Sequence, residues 1–196
     1  MANDFSDADQ IYIRDNYFTL EELCAGRPET LEAVRKLIRE RLLPAPAYVL
    51  DDGSEMFPAD YFVLVDQAGG HQRLRRYFDS RHRRAGGDPA ELEEDWHGYL
   101  SGVYSVCLRQ VSPETMVRKT QLVASLTELL DDPWPESSDW RARLRRQVWE
   151  LDGLERKFSP DYDRGGRFPE PPSRDRLIAA ARERYPDLFA AAVGVE

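Results

Sequence analysis

The chain has 196 residues, 41% apolar and 32% charged, with four Trp and nine Tyr. That is too apolar and too aromatic for disorder over the whole length, and long enough to bury a real core in one or two domains. The net charge of −9 excludes the overall basic footprint that nucleic-acid binders usually carry.

The charge is unevenly placed. Residues 1–70 hold six basic and fourteen acidic groups, residues 71–86 hold six Arg against one Asp, and residues 87–196 return to an acidic excess. Cys24 and Cys107 lie far apart in apolar helical patterns, which predicts two buried free thiols. The acidic start, MANDFSDADQ, has no apolar run and does not read as a signal peptide. No stretch approaches the roughly 18 apolar residues of a membrane span. These features together predict a cytoplasmic protein with no membrane partner.

Taken in order, residues 1–10 read as an acidic solvated tail. Ile11–Phe18 reads as either a lead-in helix or an extended segment. Thr19 opens the first clear helix through a Thr19-x-x-Glu22 capping box, with Phe18 as its staple. Gly26 ends it in the left-handed position and Pro28 opens the next helix. That second helix is predicted to run to Leu42. Leu31, Val34, Leu37, Ile38 and Leu42 form one face; Glu32, Arg35, Lys36 and Arg39 form the other. Pro44 stops it. Ala47–Leu50 and Glu55–Phe57 read as strands joined by Asp51-Asp52-Gly53-Ser54. A further helix from Pro58 ends at Gly69-Gly70, a plausible domain boundary that gives a unit of residues 11–70.

This layout, with Thr19–Leu23, Gly26, Thr30-Leu31, Leu42-Leu43-Pro44 and Tyr48–Phe57, resembles the MerR-type winged helix-turn-helix over about residues 17–68. The whole chain also resembles a bacterial family of uncharacterised proteins, through YFTLEELC near the start, CLRQVSPE at Cys107–Glu114 and SRDRLI at Ser173–Ile178.

Beyond Gly70, residues 71–87 read as an Arg-rich linking helix. Residues 88–196 read as a helical bundle. Asp88, Ser112 and Ser138 or Asp139 are the predicted caps of its first three helices. The first carries one long stripe from Leu92 to Cys107. A Pro/Gly-rich loop at 158–172 comes next, then a last helix capped by Ser173 and a short segment over Tyr185–Ala192. The predicted fold class is mainly α: an N-terminal winged helix-turn-helix with a small two-stranded wing, then an α-helical bundle.

The MerR-type resemblance implies contact with double-stranded DNA. The candidate DNA-binding residues are Arg27, Arg35, Lys36, Arg39 and Arg41 on and beside the recognition helix, and Arg73, Arg75 and Arg76 after the wing. Two features oppose this. Glu32 is spaced to pair with Arg35 and Lys36, and the wing carries Asp51, Asp52, Glu55 and Asp60 with no base.

Glu93, Asp95 and His97 form a candidate metal or acid–base site, but only Glu93 and His97, four apart, share a helix face, and a metal needs three or four ligands, so no metal and no cofactor are expected. Asp161, Asp163, Arg164, Gly165 and Gly166 match neither a calcium loop nor a phosphate loop. They read as a connector. No activated nucleophile is evident, and the chain is not expected to be an enzyme. Trp96, Trp140 and Trp149 read as core.

The favoured function is a DNA-binding transcriptional regulator whose bundle dimerises or senses a ligand. One alternative is a scaffold whose acidic winged helix docks a protein, with Tyr48, Met56 and Phe57 exposed for it. Another is a small-molecule binder or enzyme using the bundle near Trp96, His97 and Tyr99.

Overall fold

The computed structural model describes residues 5–163 and 171–190. The chain is mainly helical with a small three-stranded antiparallel sheet. It begins with helix α1 (Asp7–Asn16), strand β1 (Phe18–Thr19) and helices α2 (Leu20–Cys24) and α3 (Leu31–Arg39). Strands β2 (Tyr48–Val49) and β3 (Glu55–Phe57) then form a hairpin. The sheet order is β1-β3-β2, with Phe18 opposite Phe57 and Tyr48 opposite Met56. The order is helix, strand, helix, helix and hairpin, with the first strand closing the sheet.

Local chemistry explains most of these boundaries. Thr19 and Glu22 form the reciprocal capping box of α2. Thr30 caps α3 through the Ala33 N–H. Gly26 takes φ +80° in the turn between them.

Several boundaries differ from the sequence expectation. Pro28 lies in the turn and not in the first turn of α3. α3 ends at Arg39 and not at Leu42, because Arg41 adopts φ +56° and reverses the chain before Pro44 is reached. Leu42 is therefore exposed. Phe18 is not a staple; it is a partly exposed strand residue paired with Phe57.

The start of the chain needs a larger correction. Residues 1–4 lie outside the described residues, but residues 5–10 are not a solvated tail. Phe5 is buried, and Ser6 and Asp9 form a capping box that starts α1. Asp9 is also fully buried. It accepts hydrogen bonds from the backbone N–H groups of Asp161 and Tyr162, so the first helix clamps the loop near residue 160.

Helix α4 (Val63–Ala68) is shorter than predicted, since Tyr61 and Phe62 precede it. α5 (His71–Arg84) is not a linker. Its Leu74 and Phe78 are fully buried in one core with Leu20, Val34, Phe57, Trp96 and Met116. Phe78 packs edge-on to Trp96 at 5.1 Å between centroids.

The long stripe after α5 is two helices, α6 (Leu92–Leu100) and α7 (Val103–Cys107). They break at Gly102, at φ +77°, where the backbone passes the Ala45 carbonyl and Ala45 N–H bonds the Leu100 carbonyl at 2.8 Å. Asp88 does not cap α6, which has no side-chain cap; its carboxylate takes the Ala90 N–H instead.

α8 (Pro113–Asp131) starts as expected, with Ser112 capping and Pro113 in the first turn. It packs against α9 (Ser138–Leu154), which is capped by Ser137. Between them lies a second core, with Leu126, Trp140, Leu144, Leu151 and Ile178. Ser173 makes no capping bond to the next element. That element is a π-helical stretch, Arg174–Ala179, which leads into α10 (Ala180–Arg184) and α11 (Pro186–Phe189). Of the predicted terminal segment, Ala191 and Ala192 lie outside the described residues.

Candidate functional site

The outward face of α3 carries Arg35, Lys36 and Arg39, all exposed. Their surroundings differ. Arg35 reaches Glu21 at 2.8 Å and Glu55 at 3.9 Å, which ties α3 to α2 and β3. Lys36 lies 3.8 Å from Glu40. Both choose these partners and not the expected Glu32.

Arg27 is a brace. Its guanidinium binds both Asp66 oxygens, touches Glu29 and lies 4.0 Å from the centre of the Phe62 ring. The Asp66 carboxylate holds its pKa above the ordinary arginine value. Arg75 is similarly engaged by Asp79 at 2.7 Å and by Glu93, and stacks over Trp96.

Arg39, Arg41, Arg73 and Arg76 remain. All four are exposed, and among the described residues none has an ion-pair partner. Arg39 and Arg41 rim a surface cleft of about 510 Å³ with Ile38, Ala45, His97, Leu100 and Ser101. The eight sequence candidates therefore divide into braces and free cations, with Arg35 and Lys36 in between.

The wing is acidic as expected, but Asp52 and Glu55 have partners. Asp52 accepts from Ser54 N–H and pairs with Arg14 at 2.7 Å, contacts that lower its pKa to about 2. Asp60 is not a wing charge. It is half-buried and accepts the Val111 N–H at 2.8 Å, and burial raises its pKa. Tyr48, Met56 and Phe57, expected to be exposed for a protein partner, are all buried.

The Glu93, Asp95 and His97 set is dispersed. Glu93 engages Arg75, His97 is exposed, and Asp95 is buried between His82 Nε2, at 2.8 Å, and the Tyr104 hydroxyl. Among the described residues no cluster of three could hold a metal ion. Trp96 and Trp140 are core, but Trp149 is exposed and lies under Arg182. Cys107 is buried, whereas Cys24 is only half-buried; both are free. In the loop, Asp163 is buried and accepts from the Tyr48 hydroxyl and Ser159 N–H. Arg164, Gly165 and Gly166 lie outside the described residues.

Two polar clusters escape sequence reasoning. The first is His82, Asp95 and Tyr104. Its signal is the spacing Leu74, Phe78, His82, which continues the buried face of α5 by one more turn. The second is Lys119 with Glu155, 3.2 Å apart, together with Cys107 and Ser173. These four residues come from distant parts of the chain, and no spacing links them.

A mainly helical chain with a small three-stranded antiparallel sheet, in which the early and later helices share one core, is the class this geometry defines. Residues 65–186 match the model of a family of unknown function, DUF6058, and the chain belongs to that family. The matched region starts inside α4, so it holds both buried polar clusters and the Arg-rich helix α5 but not α3 or the wing. The comparisons with curated proteins and with solved structures returned no match. Among the described residues no helix is long and apolar enough to cross a membrane.

Proposed function

We propose that the protein is a non-enzymatic DNA-binding regulator. Helix α3 lies in the major groove of a duplex, and the helical bundle acts as its sensing or dimerising region. The observation that carries this reading is the winged-helix connectivity, which leaves the polar face of α3 outside the core. It is the geometry by which such helices meet base edges. The fold alone is an analogy; the cations give it chemistry. Arg39 and Arg41 at the end of α3, with Arg73 and Arg76 on α5, are free to bind phosphate. Arg35 and Lys36 can exchange their weak surface partners for it.

Fluorescence anisotropy with a mixed-sequence labelled duplex tests this, titrated from low to moderate salt. Contacts to about four phosphates predict that log K falls with log salt at a slope of roughly −3 to −4. The pair Arg39→Ala and Arg41→Ala should shallow that slope by about 2, and Arg73→Ala with Arg76→Ala should do the same. Binding with no salt slope, or none at low salt, removes the reading. The acidic wing, with Asp51 and Asp52 exposed at its turn, predicts that neutralising both to Asn tightens binding.

A further inference from the structure

We infer that the cavity between α7, α8, Phe158 and Pro172–Ser173 binds an uncharged, mostly apolar small molecule carrying one hydrogen-bond acceptor. The cavity has a volume of about 490 Å³, within the range of small-molecule sites. Its walls are Val103, Val123, Ala124, Phe158 and Pro172. It stands apart from α3, and the inference holds whether or not that helix binds DNA.

Of the polar groups that line this space Thr120 is exposed, and the more buried ones decide what fits. The Tyr104 hydroxyl already donates to Asp95, and the Ser173 hydroxyl already donates to Glu155. Lys119 is the charged side chain of the lining, and it is only 16% exposed. An ammonium has three N–H groups. Glu155 Oε1 takes one at 3.2 Å, and the Cys107 sulfur is within reach of a second. A third is left for an acceptor in the cavity.

Burial opposes the charge on Lys119, but the Glu155 carboxylate beside it favours the ammonium. It stays an ammonium and acts as a donor, not as a nucleophile. Burial raises the pKa of Cys107, which remains a neutral thiol.

Charge balance excludes the other ligand classes. Glu155 is fully buried and already matches the charge of Lys119. An anionic ligand would add a second negative charge to a neutral pair. A cationic ligand would face the ammonium. An unmatched charge in such a place is expensive. A ketone, ester or ether oxygen meets the free N–H and adds no charge.

The two sequence stretches CLRQVSPE and SRDRLI converge here, through Cys107 and Ser173. The winged helix gives neither of them a role.

The test uses the full chain and N-phenyl-1-naphthylamine, an uncharged apolar dye that fluoresces when bound. Saturable one-to-one binding is expected, with octan-2-one displacing the dye at least about tenfold better than octanoate or octylamine at neutral pH. Ala124→Trp fills the cavity from an exposed position and should abolish dye binding without changing the thermal melt. The double variant Lys119→Met with Glu155→Leu removes the pair without stranding either charge. It should still bind the dye but lose about tenfold in ketone affinity. If that variant unfolds, the ligand series and Ala124→Trp still decide.

No saturable dye binding, or binding that survives Ala124→Trp, overturns the site. Octanoate or octylamine competing as well as the ketone overturns the ligand class. Undiminished ketone affinity in a folded double variant overturns the role of Lys119.

Discussion

Asp9 shows how much one side chain can hold in this protein. It closes the capping box of α1 with Ser6 and takes the N–H groups of Asp161 and Tyr162, residues more than 150 positions away. Burial works against its charge, but the N–H groups of Asp161 and Tyr162, with Ser6, outweigh it. The carboxyl is held below its ordinary value of 3.8. A depressed carboxyl pKa stabilises the fold above the unfolded value, and that contribution fades as pH falls through about 4 and below. Asp9→Asn should cost about 1–3 kcal/mol at pH 7. It should also flatten the loss of stability between pH 5 and 3, both read from urea midpoints. An unchanged midpoint would show that the clamp is weak. The acidic composition of MANDFSDADQ hid this role, because the partners of Asp9 are backbone groups that no sequence pattern marks.

At the scale of elements, caps and turns were readable and lengths were less so. Thr19 with Glu22, Thr30 ahead of Leu31, and Ser112 with Pro113 place helix starts by local hydrogen bonds, which depend on neighbours in sequence. The long apolar stripe from Leu92 to Cys107 misled, because α6 and α7 both bury the same kind of face. Only the approach of the Ala45 carbonyl forces the break at Gly102. A Cβ there would lie 2.5 Å from that oxygen, on a backbone at φ +77°. Gly102→Ala should therefore destabilise by about 2–4 kcal/mol, from left-handed strain plus displacement of the neighbouring backbone. Thermal unfolding checks this, and a loss below about 1 kcal/mol would mean the crossing relaxes easily. The cation candidates obeyed the same rule. Their exposure on α3 and α5 was legible from spacing, but the engagement of Arg27 by Asp66 and of Arg75 by Glu93 was not. These partners come from other elements.

For the whole molecule, the apparent boundary at Gly69-Gly70 is crossed by the core. Leu20 and Val34 from before that boundary share one cluster with Leu74, Phe78, Trp96 and Met116. The Tyr17 hydroxyl also donates to the Ser105 carbonyl at 3.1 Å. Residues 1–70 expressed alone should show no cooperative unfolding transition, and the full chain should melt through these elements together. A sharp independent transition of the fragment would restore the two-unit division. The sequence by itself determined the mainly helical class, the capped helix–turn–helix, the hairpin and the basic character of residues 71–84. Periodicity, caps and charge runs act between near neighbours. Only the tertiary structure decided that the Arg-rich helix is core, that Tyr48, Met56 and Phe57 are hidden, and that Cys107, Lys119 and Ser173 line one cavity, with Glu155 paired to Lys119. Contacts across long stretches of chain are set by packing and charge pairing in three dimensions, and those leave no spacing to read.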